Sequence, residues 1–176
     1  MRGRIAIVLF VVVLGGGGWW LVHSSPPRVA VGMPAPDFTA TDLTTGKTVS
    51  LRDRYKGEVT LVNIWATYCD PCKWEIPAMD SLYHTLGPRG LHIAAVSVDI
   101  VSPTVVKKFA ADYHMSFDVL HDGSGAIEET YQTTGVPESF LIDKSGHIVR
   151  IAQRAVRWNS PENQRIIEEL LAAPAS

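Results

Sequence analysis

Apolar residues fall in short runs separated by polar, glycine- and proline-containing breaks, and the spacing within each run predicts its element. The run Val59-Thr60-Leu61-Val62-Asn63-Ile64-Trp65, within 58–65, is β-branched and almost unbroken, and 91–99 repeats that pattern. Runs of this length and kind predict strands buried on both faces. Between them, 70–86 turns amphipathic with helical spacing and stops at Gly87-Pro88. Pro77 lies inside that helix and is expected to kink it rather than end it, because the spacing continues over 78–86. Ser102-Pro103 has the form of an N-cap followed by proline at the first helical position and opens a helix to about residue 113. Ser160-Pro161-Glu162 opens a last helix to about residue 171. Between these lie an extended segment at 118–121 and a short helix at 125–131. Residues 37–40 and 47–51, joined by Thr44-Thr45-Gly46, predict a hairpin, and 139–143 with 147–152 around Lys144-Ser145-Gly146 predict a second. Strands alternating with helices, with a hairpin at each end, predict an α/β fold: a mixed central sheet flanked by helices on both faces.

The first 24 residues depart from this pattern. Arg2 and Arg4 precede 5–22, a stretch without charge that reaches the length of about eighteen residues needed to span a bilayer. Trp19 and Trp20 stand near its far end, where indoles favour the membrane interface. Residues 1–24 are therefore expected to form a single-pass membrane anchor, with a cleaved signal peptide as the alternative. Residues 25–31, rich in serine and proline, read as a linker, and 32–173 as the exported domain. Arginines before the span and none soon after it place that domain on the periplasmic or extracellular side of the cytoplasmic membrane. The chain of 176 residues has room for one domain and such an appendage, and 46% hydrophobic residues fill one core. A net charge of -2 without a basic stripe excludes nucleic acid as an expected partner.

Cys69 and Cys72 are the only two cysteines, and they follow directly on the run ending at Trp65. A strand feeding C-x-x-C at a helix start has the form of a redox motif. Two thiols so spaced lie within one helical turn, can close a small disulfide ring and can carry two electrons. They are too few for a disulfide scaffold or a structural zinc site, and no histidine stands at a matching spacing, so neither metal nor cofactor is expected. His84, His92, His114, His121 and His147 share no motif and read as surface or loop residues. A permanent disulfide that pins the helix is the plain alternative, though bridging so short a loop removes little chain entropy.

The segment Val62-Asn63-Ile64-Trp65-Ala66-Thr67-Tyr68-Cys69-Asp70-Pro71-Cys72-Lys73 resembles the active-site segment of thioredoxin-fold proteins, and Thr134-Gly135-Val136-Pro137-Glu138-Ser139 resembles their cis-proline segment. Pro34-Ala35-Pro36-Asp37-Phe38, the hairpin after it, and Asn63 six residues before Cys69 narrow the resemblance to the exported, membrane-anchored TlpA/ResA/DsbE (CcmG)-like branch, over 32–171. Three positions depart from the common pattern: Asn63 where thioredoxin has aspartate, Tyr68 in place of tryptophan, and Asp70 between the cysteines.

The resemblance implies a redox disulfide Cys69–Cys72, with Cys69 as the nucleophile at the helix N-terminus and Cys72 as the resolving thiol. Asp70 is expected to oppose the Cys69 thiolate, make the reduced form less favourable and so make the protein a reductant, with Pro71 beside it between the cysteines. Trp65 is expected to pack beneath the loop. Glu75, one helical turn beyond Cys72, is expected to raise thiol pKa values or take the Cys72 proton. A cis Val136-Pro137 bond is expected to present the Val136 backbone to an extended partner, with Glu138 either adding an acidic rim to that groove or lying solvated in the turn. The implied function is a reductant of client-protein disulfides, with apocytochrome c as client and a membrane thiol carrier as electron donor. Three other functions compete. A peroxiredoxin-like peroxidase needs threonine where Ala66 stands. A Cu(I)-carrying thiol protein needs wider cysteine spacing and a histidine, for which His121 is on offer. A DsbA-like dithiol oxidase differs in potential and in electron donor.

Overall fold

The computed structural model describes residues 29–174. The expected anchor at 1–24 and most of the expected linker lie outside the described residues. Among the described residues, no helix is long and apolar enough to cross a membrane.

The strands are β1 (Thr39–Asp42), β2 (Thr48–Ser50), β3 (Val59–Trp65), β4 (Leu91–Ser97), β5 (Asp118–His121), β6 (Glu138–Ile142) and β7 (Ile148–Ala152). The helices are α1 (Leu51–Tyr55), α2 (Asp70–Leu86), α3 (Pro103–Asp112), α4 (Ala126–Tyr131) and α5 (Pro161–Ala172). The strands form one mixed sheet in the order β2-β1-β5-β4-β3-β6-β7. β3, β4 and β5 run parallel, and β6, β7, β1 and β2 add antiparallel. Parallel strands sit at the centre because their connections carry helices that cover the sheet. β3 and β6 are buried at every position, so both faces are covered.

The faces follow from alternation along β3. Asn63 touches α2 through Glu75, and Trp65 packs on Phe109 of α3 with ring centroids 5.3 Å apart. Both residues are odd-numbered, so α2 and α3 share a face, as two successive right-handed crossovers in one direction require. Phe140 lies opposite Val62 and meets Tyr131 of α4 at 4.7 Å, which puts α4 on the other face.

Most elements stand where the spacing of apolar residues predicts them. The α2 helix runs through Pro77 to Leu86. The first hairpin differs. β1 begins at Thr39 rather than 37, because Asp37 turns away from the ladder and accepts a hydrogen bond from the Arg52 N–H at 3.0 Å. β2 ends at Ser50, whose hydroxyl accepts from Asp53 N–H at 3.0 Å and caps α1, a helix too short to show a period. His121 is not a surface residue. It ends β5 in the interior, with Nε2 at 2.7 Å from the Asp99 carbonyl. Gly32 to Ala35 run beside the β7 hairpin, with Gly32 N–H donating to Ile148 O at 2.7 Å and Ile148 N–H to Met33 O at 2.9 Å.

Candidate active site at the mouth of helix α2

β3 delivers the chain to the carboxyl edge of the sheet, and Ala66-Thr67-Tyr68 turn it into α2. The turn is held from β4. Asp99, just past that strand, accepts from Thr67 N–H at 2.9 Å, from the Thr67 hydroxyl at 2.6 Å and from the Ser97 hydroxyl at 2.7 Å. Three donors on one buried carboxylate satisfy it and fix where the loop leaves the sheet.

Cys69 is the N-cap of α2 and is bonded to Cys72 with an S–S distance of 2.05 Å. Its Sγ accepts from the Cys72 N–H at 3.2 Å, so an unpaired amide of the first turn points at the sulfur that would carry charge on reduction. Cys69 is 6% exposed and Cys72 1%, an order that leaves Cys69 the sulfur a partner reaches first. Pro71 lies in the first turn, where its missing N–H costs nothing. Asp70 is exposed and paired with Lys73 at 2.7 Å, so solvent and that ammonium both blunt its charge. Trp65 is wholly buried beneath the loop, and its indole N–H has no partner among the described residues.

Glu75 is no ordinary exposed helix glutamate. It is 2% exposed and faces the sheet. Its Oε1 accepts from Trp158 Nε1 at 2.7 Å and from Val156 N–H at 3.1 Å, and its Oε2 accepts from Asn63 Nδ2 at 3.2 Å. Burial raises the carboxyl pKa, the three donors lower it, and burial prevails, leaving it pushed up to about 7. Cys72 and Glu75 are three residues apart on one helix face, so this carboxyl lies one turn from the Cys72 sulfur.

The Val136-Pro137 peptide bond is cis. Register places this segment beside the loop. Glu138 pairs with Ile64, so Val136 and Pro137 continue past the end of β3 on the side where the chain runs to Cys69. Val136 is half-buried and Pro137 buried. Glu138 neither rims an open groove nor lies solvated. It is 3% exposed at the start of β6, accepts from Thr134 N–H at 3.4 Å, and has its pKa raised by burial. Tyr68, Trp74, Ile100 and Val101 are exposed large apolar side chains. Tyr68 and Ile100 each follow a partner of the Thr67–Asp99 bond, so the loops after β3 and β4 carry an apolar rim.

The sequence pointed to Cys69, Cys72 and Glu75. It did not point to Trp158, Val156, Ser139 or Asp99. Asn63 stands in the sequence as a mark of the branch and a departure from thioredoxin, and a polar residue inside an apolar strand is the signal that it has a buried partner.

The sequence profile described as "AhpC/TSA family" matches residues 31–151. A relative named thiol-disulfide oxidoreductase ResA, from Bacillus thuringiensis subsp. konkukian (strain 97-27), is 38% identical over 123 residues, which cover 70% of this chain and 69% of the relative. The solved thioredoxin domain of a thiol-disulfide oxidoreductase from Bacteroides vulgatus is 27% identical, with a TM-score of 0.70, over 82% of this chain and 99% of that one. The solution structure of a thiol:disulfide interchange protein from Bacteroides sp. is also 27% identical, with a TM-score of 0.70, over 82% of this chain and 92% of that one.

Proposed function

We propose, from the premise that the chain belongs to the AhpC/TSA family and is a ResA-like thiol-disulfide oxidoreductase, that it works as an exported, membrane-anchored reductant of client-protein disulfides. The observation that carries the direction is the buried Glu75 carboxyl one turn from Cys72, with its pKa pushed up to about 7. In its ionised form, only partly populated at neutral pH, that carboxylate disfavours the thiolates beside it, and a less stabilised thiolate makes the reduced form the better electron donor. The Asp70 charge adds little, because Lys73 and solvent offset it.

In the proposed cycle the reduced Cys69 thiolate attacks one sulfur of a client disulfide. A Cys69–client bond forms, the client S–S bond breaks, and the departing client thiolate takes a proton. Cys72 passes its proton to Glu75, attacks Cys69 Sγ and expels the second client thiolate, leaving the Cys69–Cys72 disulfide. The second client thiolate takes a proton from solvent and Glu75 gives up its own to solvent, so the client gains two electrons and two protons and the Glu75 carboxylate is restored. A membrane dithiol then reduces the pair and is itself oxidised. The half-buried Val136 backbone and the apolar rim of Tyr68 and Ile100 supply the surface for an extended, weakly charged client segment such as the haem-binding C-x-x-C-H of an apocytochrome c.

The chain is expected to accelerate insulin reduction by dithiothreitol, to reduce an oxidised C-x-x-C-H peptide stoichiometrically, and to leave hydrogen peroxide consumption at the dithiothreitol background. Peroxide turnover without insulin reduction would replace this function with the peroxidase one, and tight Cu(I) capture by the reduced chain would replace it with the carrier one.

A further inference from the structure

We infer that Trp158 is a positioning residue for Glu75: its indole N–H fixes one carboxylate oxygen and leaves the other as the atom that exchanges the proton. This rests on the proposed role of Glu75 as proton acceptor for Cys72, and it assigns the two oxygens different tasks.

Oε1 accepts from two donors, Trp158 Nε1 at 2.7 Å and Val156 N–H at 3.1 Å, both from the connection between β7 and α5. Oε2 accepts from Asn63 Nδ2 at 3.2 Å, and that same amide nitrogen also donates to Ser139 Oγ at 2.9 Å. An oxygen that already accepts from two donors gains a proton only by displacing one of them. Oε2, with a single and longer bond, keeps a lone pair open, so the proton enters and leaves there.

Trp158 is held where it must be to act in this way. It is wholly buried, and its backbone N–H donates to Val156 O at 2.9 Å, which closes the turn that carries both donors. The Arg150 guanidinium of β7 lies over its ring at 5.8 Å. Arg150 donates to Asn163 Oδ1 at 2.6 Å, and Asn163 Nδ2 donates to Arg157 O at 3.0 Å, so α5 and β7 grip the loop from both ends. With the cysteines bridged, burial raises the Glu75 pKa and the three donors lower it. The other charged or titratable groups on the elements around it are Asp70, Lys73, Asp80 and His84 on α2, Glu138 on β6, Arg150 on β7, Arg154 and Arg157 in the loop, and Glu162, Arg165, Glu168 and Glu169 on α5. β3 presents only the neutral Asn63.

The test uses the full-length oxidised chain carrying 15N-indole tryptophan and 13C-carboxyl glutamate, followed by NMR against pH. In the wild type the Trp158 indole resonance should titrate with the midpoint of the Glu75 carboxyl, and in Glu75→Gln that pH dependence should vanish. Trp158→Phe keeps an aromatic ring, though a smaller one, and deletes the donor. Losing one bond to the charged form should raise the Glu75 midpoint, increasing its proton affinity about tenfold. An unchanged midpoint in Trp158→Phe, or an indole resonance indifferent to Glu75, overturns the inference. If Trp158→Phe does not fold, the wild-type and Glu75→Gln indole titrations decide alone. Thiol alkylation of the reduced chain separates this from the role of Glu75 itself. A carboxyl that follows Trp158 while the alkylation pH profile ignores Glu75→Gln supports the positioning and ends the proton-acceptor role.

Discussion

Cys72→Ser turns the enzyme into a trap. Turnover falls on the order of a thousandfold or more, because the mixed disulfide forms but has no resolving thiol. The variant accumulates joined to its client through Cys69, and dithiothreitol releases the pair. Cys69→Ser loses turnover to the same degree and captures nothing, since Cys72 is the less exposed sulfur and lacks the amide that Cys69 Sγ receives from Cys72 N–H at 3.2 Å. Non-reducing electrophoresis with mass spectrometry of the adduct distinguishes the two variants. Equal trapping by both would reverse or abolish the roles assigned to the pair.

Glu75→Gln should flatten the dependence of stability on pH. The folded carboxyl is pushed up to about 7 from 4.5, so between those values the native state holds a proton that the unfolded state has released. Unfolding free energy therefore falls as pH rises through that window. A shift of this size corresponds to about 3 kcal/mol between pH 4 and pH 8, or about ten degrees in melting temperature for a domain of this length. The stability contributed by the protonated form is complete below pH 4.5 and lost above pH 7. Glu138, also raised by burial, adds a slope of the same sign that the variant keeps. Asp42 and Asp143 are lowered by the hydrogen bonds they accept, so their stabilisation is present at neutral pH and is lost in acid. Urea titrations of the oxidised protein from pH 4 to pH 8 measure the difference in slope. Equal slopes in wild type and variant would mean that Glu75 titrates as an ordinary exposed acid.

Reading the sequence reached as far as local pattern carries. The buried strands β3 and β4, the helix between them and the cysteines at its mouth follow from composition over a few residues. Relations between distant segments were not legible. Val156 and Trp158 reach Glu75 across 81 and 83 residues, and that meeting depends on β7 and α5 folding back over the face that Asn63 shares. No spacing near Glu75 announces two donors from the far end of the chain. Glu138 illustrates the same limit. It follows a proline in a turn-like segment, yet pairing with Ile64 at the end of a central strand takes it indoors. His121 looked like a loop residue because β5 is only four residues long, and its burial comes from β1 and β4 on either side. α1 was missed because its cap, Ser50, also ends a strand.

Equilibration of the Cys69–Cys72 couple with glutathione buffers of known ratio, read by alkylation and mass, tests the central claim most directly. A reductant whose thiolate is opposed by a buried carboxyl should lie close to the thioredoxin value of about −270 mV. A potential near the DsbA value of about −120 mV would contradict it, because the reduced pair would then be the stabilised form and electrons would flow from client to enzyme.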